Sequence, residues 1–311
     1  RGYALGALVL AHALRRTGCR HERVLMHTSD VPADVLEALR RCGLWRLRQV
    51  EYLHGSHALG NMENWHGIFT KLRAFSLVEY EKVLFLDLDM LVLDSLDALF
   101  DLTPPAAMVK GRWQPDHGTE LDGRFFFPPE QWNEPHGGIN AGVMLLRPDQ
   151  HVHDRMEQEV ADKWHPEHIY AYGPEQEYLS RFFADRWTQV SSRHNFQLFR
   201  FSASQALRKL GEVPPAAAEV VASLAAVQFS SHPKPWAFAG LSAEATAGRV
   251  ADSVAAVAAD AQWYQSDSGP PPELCLGVSQ LLVRRWAEAS REVAAELPEE
   301  AAVLGLSTAC E

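Results

Sequence analysis

Four consecutive apolar residues, Val83-Leu84-Phe85-Leu86, run directly into two aspartates, Asp87 and Asp89, with Leu88 between them. A run that is apolar at every position reads as a strand covered on both faces, because a half-exposed strand alternates. Side chains two apart on an extended segment point the same way, so the two carboxylates face one spot at the strand's end. Close like charges raise one another's pKa unless a proton or a cation lies between them. A hard divalent cation with oxygen ligands, and with positions left for phosphate oxygens, meets that need. An isolated Asp-x-Asp is also a common surface turn. The apolar run ahead of it favours a site, since buried strands seldom end in two acids without cause.

Around this run, strand and helix patterns alternate. Residues 3–16 carry Ala7, Leu8, Leu10, Ala11 and Leu14 at helical spacing, 24–28 read as a short strand, and 33–42 as a helix stopped by Gly43. Further strands are expected at 47–53, 106–110, 142–146 and 225–230, and helices at 69–80, 149–164, 174–183 and 279–296. This order predicts an α/β fold with a mostly parallel central sheet, in which ligands bind beyond the carboxyl ends of the strands. Alanine-rich segments around 216–224 and 243–261 and the linker Gly269-Pro270-Pro271-Pro272 set a boundary near 240. A main domain over 1–240 is then followed by an alanine-rich, helical extension over 241–311.

Composition narrows the function. The chain has 311 residues, 47% of them hydrophobic, enough for one large domain with an appendage. A net charge of -11 speaks against a general nucleic-acid binder but not against a phosphate-bearing ligand. No apolar run approaches the roughly 20 residues that a membrane helix needs. The four cysteines, Cys19, Cys42, Cys275 and Cys310, form no close pair and suggest neither a zinc site nor a disulfide framework. His165 and His168 read as solvated. Residues 111–137 form a long insert with Trp113, Phe125, Phe126, Phe127 and Trp132, either a platform for an acceptor sugar or lipid or a lid packed on the core.

Five blocks then resemble, in order, those of glycogenin-like glycosyltransferases, glycosyltransferase family eight. They are the first helix from Tyr3, the segment from Lys71 through Asp87-Leu88-Asp89 to Phe100, Gly138-Ile139-Asn140-Ala141-Gly142-Val143, Gly173-Pro174-Glu175-Gln176, and Phe229 to Trp236 with Lys234. The resemblance spans residues 3 to 240 and implies a GT-A type, Rossmann-like domain that transfers a hexose or related sugar from a UDP-sugar with retention. The acceptor stays open among glycan, protein, polyol and lipid. By the same resemblance Asp87 and Asp89 hold Mn²⁺ or Mg²⁺ against the diphosphate, and Lys71 lies near the sugar. Asn140, Ala141 and Gly142 line the sugar pocket, with Leu88 and Tyr3 on the nucleotide side. Gln176 lies beside the transferred sugar, and Lys234 pairs with the diphosphate. Trp236 reads as packing.

Two positions depart from the pattern. Glu175 replaces the family's aspartate, one methylene longer with the same charge. Gln228 falls where the family's metal-binding histidine belongs, with His232 four residues on, and Ser231 falls on a family glycine. An amide oxygen is a weaker ligand for Mn²⁺ than imidazole. That substitution keeps open a second reading, a glycosyltransferase fold that binds without turning over. A third reading, a phosphohydrolase of the haloacid dehalogenase type, also places Asp-x-Asp after an apolar strand, but it wants a small hydroxyl or β-branched residue where Leu91 stands. The resemblance further implies a strand ahead of the first helix. The chain opens at Arg1 without it, which leaves the compartment open between cytoplasm and secretory pathway.

Overall fold

The structure is a computed structural model, which describes residues 1–55, 67–111, 113–126, 138–162, 174–259 and 270–306. The chain opens with helix α1 (Gly2–Arg16), strand β1 (Val24–His27), helix α2 (Ala33–Arg41) and strand β2 (Arg46–Gln49). A 3-10 helix (Ile68–Ser76) precedes β3 (Val83–Leu86), β4 (Met90–Val92), β5 (Ala106–Val109), β6 (Glu120–Leu121) and β7 (Ile139–Leu146). Helices α3 (Gln150–Ala161) and α4 (Pro174–Phe182) lead to β8 (Trp187–Gln189) and β9 (Phe196–Gln197). Then come α5 (Ser204–Leu207), α6 (Ala217–Ala222) and β10 (Ala226–Gln228). Beyond a 3-10 turn at Pro235–Phe238 the chain is helical: α7 (Ala243–Ala259), α8 (Pro272–Glu296) and α9 (Pro298–Val303).

The α/β expectation holds, but the central sheet is mixed rather than mostly parallel. Its five strands lie in the order β3-β7-β5-β8-β6, and of its four pairings only β5 with β8 is parallel. A fully apolar run reports that both faces are covered. It does not report which way the neighbours run, and β7, apolar almost throughout, is antiparallel to both of its own. A second sheet, β4-β10-β9, carries the chain back to the end of β3.

The two apolar clusters meet at the sheet. Val143 and Leu145 face the one that contains α1, while Ile139, Ala141, Met144 and Leu146 face the other. The side-chain alternation changes phase between Ala141 and Val143, where β7 slips against β5: Ala107 pairs with Met144, and Met108 with Asn140. Such a bulge re-aims side chains. Here it falls on the block Asn140-Ala141-Gly142.

The segment expected as a helix over 69–80 is a 3-10 helix. Phe69, Leu72 and Phe75, all buried, are spaced by three, and the 3-10 pitch stacks such residues in one row. Pro271 and Pro272 start α8 well ahead of the periodic stretch read from sequence, since proline suits a helix's first turn. Val278, Leu282, Val283, Trp286 and Val293 of α8 share one apolar cluster with Leu5, Leu8 and Val9 of α1.

β1 pairs only with β2, and β3 only with β7, among the described residues. A cavity of about 1700 Å³ is lined by residues of both β1 and β3 and extends to Asp87 and Asp89. No described helix is long and apolar enough to cross a membrane.

Candidate active site

Backbone pairing fixes the two aspartates. Asp87 N–H donates to the Gly142 carbonyl at 3.0 Å, which continues the β3–β7 ladder into the bulge. The Asp89 carbonyl accepts from Phe229 N–H at 2.8 Å, which continues the β4–β10 ladder. The same ladder sets Gln228 opposite Met90, so the Gln228 side chain falls between the two acids. Its Nε2 donates to Asp87 Oδ2 at 2.8 Å and to Asp89 Oδ1 at 3.4 Å. Gly142 makes the space, because a Cβ there would lie 2.3 Å from Gln228 Oε1. Gly6 does the same for α1, since a Cβ would lie 2.6 Å from the Leu88 carbonyl oxygen.

Charged partners come from three further elements. Lys71, on the 3-10 helix, donates Nζ to Asp87 Oδ1 and to Glu175 Oε1, each at 3.2 Å. Glu175 and Gln176 lie in the first turn of α4, where acidic side chains suit the positive end of the helix dipole. Ser180 ties α4 to the sheet by accepting from Ile139 N–H at 2.7 Å. Gln176 Oε1 accepts from Ala141 N–H at 3.2 Å. Lys234, after β10, pairs with Asp89 and donates to the Phe229 carbonyl at 3.1 Å.

Charge balance leaves the site with surplus negative charge. Three carboxylates, Asp87, Asp89 and Glu175, meet two ammonium groups, Lys71 and Lys234. Glu175 Oε2 is buried with no hydrogen-bond partner. Burial lifts Asp87 to about 6, against the pull of Lys71 and with the push of Asp89 and Glu175. Burial also opposes the charge on Lys71, but Asp87 and Glu175 outweigh it and hold that lysine above its ordinary value. A partly buried cluster with surplus negative charge fits a bound cation. The donor set fits as well: four carboxylate oxygens and an amide whose nitrogen now bridges the acids. Which end of an amide faces a site follows from its partners, so a cation between the acids would turn the Gln228 oxygen inward. Gln197, whose Nε2 donates to Gln228 Oε1 at 2.9 Å, can turn with it.

The residues singled out from sequence therefore converge. Asn140 is buried, and its Oδ1 accepts from Gly142 N–H at 3.1 Å and from Asn195 Nδ2 at 2.8 Å. Tyr3 is 54% exposed at the cavity wall, its ring 4.8 Å from that of Trp236. Trp236 packs against Gly2 and Gly6, as expected for a packing residue. His232 is exposed and makes no hydrogen bond to either aspartate. Ser231 has φ 70°, the left-handed backbone that favours the glycine expected there. Phe127, Trp132, His165, His168 and Cys310 lie outside the described residues. Asn195, Gln197 and Glu177 were missed. For the first two a signal existed: they flank buried Phe196 at spacing two, Gln197 within β9 and Asn195 directly before it.

An apolar strand that ends in paired acids, with lysines on both sides and a helix N-terminus opposite, is the arrangement expected of a GT-A type glycosyltransferase, a class that takes its sugar from a nucleotide-sugar donor. The chain belongs to glycosyl transferase family 8, whose family model matches residues 2–239. With that match the phosphohydrolase reading falls. A relative in Acanthamoeba polyphaga mimivirus, an uncharacterized protein, is 31% identical over 75% of this chain and 78% of its own length. UDP-glucuronate:xylan alpha-glucuronosyltransferase 2 of Arabidopsis thaliana is 26% identical over 62% of this chain, a match that spans only 27% of that protein. Among solved structures, the galactosyltransferase LgtC, in complex with donor and acceptor sugar analogs, shares the fold with a TM-score of 0.50 and 17% identity, over 75% of this chain and 86% of that one.

Proposed function

We propose that this chain moves a hexose or related sugar from a UDP-sugar to an acceptor hydroxyl, with retention, and that Mn²⁺ or Mg²⁺ assists. The observation that carries the reading is the meeting of Asp87, Asp89, Lys71, Gln176 and Lys234 around one cavity, with carboxylates in excess of ammonium groups. The glucuronosyltransferase relatives, named for UDP-glucuronate, support a UDP-sugar donor. Asp87, Asp89 and the Gln228 amide oxygen would hold the cation. When bound, a divalent cation supplies Lewis-acid stabilisation of a departing diphosphate. Lys234 adds positive charge on the same side, and Lys71 holds the Asp87 and Glu175 carboxyl groups in place for sugar hydroxyls. Gln176, an amide tied to Ala141, is a poor nucleophile. That favours an internal return in which the leaving phosphate takes the acceptor's proton.

One cavity is lined by both β1 and β3, each with a single partner strand among the described residues, and a strand ahead of α1 would fit there and close the nucleotide pocket. The test is a screen of UDP-sugars for hydrolysis with and without Mn²⁺, on residues 1–311 and on a chain extended by native upstream sequence. Metal-dependent turnover of at least one UDP-sugar is expected, with tighter UDP binding by the extended chain. No turnover by either chain sinks the reading.

Gln228 gives a sharper measurement. Gln228→His should lower the Mn²⁺ concentration for half-maximal UDP binding, read by calorimetry, by roughly 10- to 100-fold, the scale of changes around metal sites. His232→Ala should change it little. If neither substitution moves the midpoint, this strand end holds no cation, and the non-catalytic reading takes over.

A further inference from the structure

Beyond Gln176 the cavity has a second polar floor. Lys110, directly after β5, donates Nζ to Glu177, the neighbour of Gln176. Lys209, past α5, donates Nζ to the Lys110 carbonyl at 2.9 Å, and its own carbonyl accepts from Ser192 Oγ at 3.0 Å. Lys110 thus spends its ammonium on a carboxylate, while Lys209 meets only the Lys110 backbone. Among the described residues Lys209 pairs with no carboxylate. Burial, and then the nearby Lys110, lower Lys209 to about 8. Half-buried at the cavity wall, this ammonium has a backbone carbonyl as partner and no matching charge, and partial burial of an unmatched charge costs stability.

An aromatic side chain lines the same cavity. Phe199 is 37% exposed. It begins a turn closed by Ser202 N–H on the Phe199 carbonyl at 2.9 Å, in which Arg200 (φ 48°) and Phe201 (φ 62°) are both left-handed. Non-glycine residues hold that backbone at a cost, and such strain concentrates at ligand-binding segments.

We propose that this floor is the acceptor subsite and that the acceptor is an anionic sugar, its carboxylate or phosphate bound by Lys209 and its ring set against Phe199. The proposal rests on the transferase reading for its place in the reaction. Lys209 lines the cavity with no carboxylate paired to it among the described residues, so an incoming anion meets there an ammonium without a matching charge. A neutral sugar leaves that ammonium desolvated and unmatched, which is the basis of selection.

The kinetic test uses the UDP-sugar found in the screen with three acceptors: p-nitrophenyl glucuronide, p-nitrophenyl glucoside and glucose 1-phosphate. The wild type should prefer the carboxylated or the phosphorylated acceptor over the neutral one by about 10-fold in kcat/KM, expressed in acceptor KM, as expected for one charge-assisted hydrogen bond. Lys209→Gln should erase that ratio, and Lys209→Arg should keep most of it. Equal use of charged and neutral acceptors by the wild type overturns the proposal. So does a Lys209→Gln effect that falls equally on all three acceptors, or on the KM of the UDP-sugar. A second arm needs no turnover. Amine labelling at pH 8, read by mass spectrometry, should mark Lys209, and glucuronate or glucose 1-phosphate should protect it where glucose does not. Protection without turnover of any UDP-sugar keeps the subsite and removes the transferase reading. Labelling that neither anion slows overturns the subsite.

Discussion

Replacing Asp89 by asparagine is expected to lower Mn²⁺-dependent UDP binding by at least about 100-fold, the upper end of what changes around a metal site cost. Asp89 is 6% exposed, and its carboxylate accepts from both Lys234 and Gln228. Asparagine keeps the shape and one acceptor oxygen but removes the charge. The backbone bond from Phe229 N–H to the Asp89 carbonyl is independent of the side chain, so the β4–β10 ladder remains. The melting temperature should therefore move by only a few degrees while metal-dependent binding disappears. Calorimetric titration of UDP with Mn²⁺ and with EDTA separates the two effects. Unchanged Mn²⁺-dependent affinity in the variant removes Asp89 from the metal site.

The largest stability effect is expected far from this chemistry. Trp286 of α8 is fully buried, and its indole N–H finds no acceptor among the described residues, so packing alone holds it. It lies in the cluster that joins α8 to α1 and to the strands of the second sheet. Trp286→Ala should cost about 3–5 kcal/mol, as for other buried aromatic truncations. α1 borders the site through Gly6 at Leu88, so loosening α8 also loosens the nucleotide wall. The measurement is a denaturant titration at fixed UDP. A loss below about 1 kcal/mol, the scale of a volume-conserving core swap, would mean that α8 is not part of this core.

Much of the site was legible because its residues lie in short continuous blocks. Asp87 and Asp89 were found from the apolar run ahead of them, and Lys71, Asn140, Gln176 and Lys234 from blocks that resemble a family in order. What the blocks could not carry was pairing. Gln228 raised a question of ligand strength; the structure turned it into one of geometry, since its amide bridges both acids while His232, exposed at the cavity wall, bonds to neither. Lys209 and Phe199 left no signal, because an ordinary lysine and an ordinary phenylalanine become notable only through burial, strain and their place at a cavity.

Local chemistry along the chain determined which segments would be strands, which acids would end one of them, and which family's ordered blocks were present. Those are properties of spacing, and spacing is written in the sequence. Tertiary structure decided the direction of β7, the bulge that brings Gly142 under Gln228, the stacking of Phe69, Leu72 and Phe75 in a 3-10 row, and the sharing of one core by α8 and α1. Each depends on contacts between residues far apart in the chain. Burial on both faces reads the same for parallel and antiparallel neighbours, and an amphipathic helix does not name the surface it will cover.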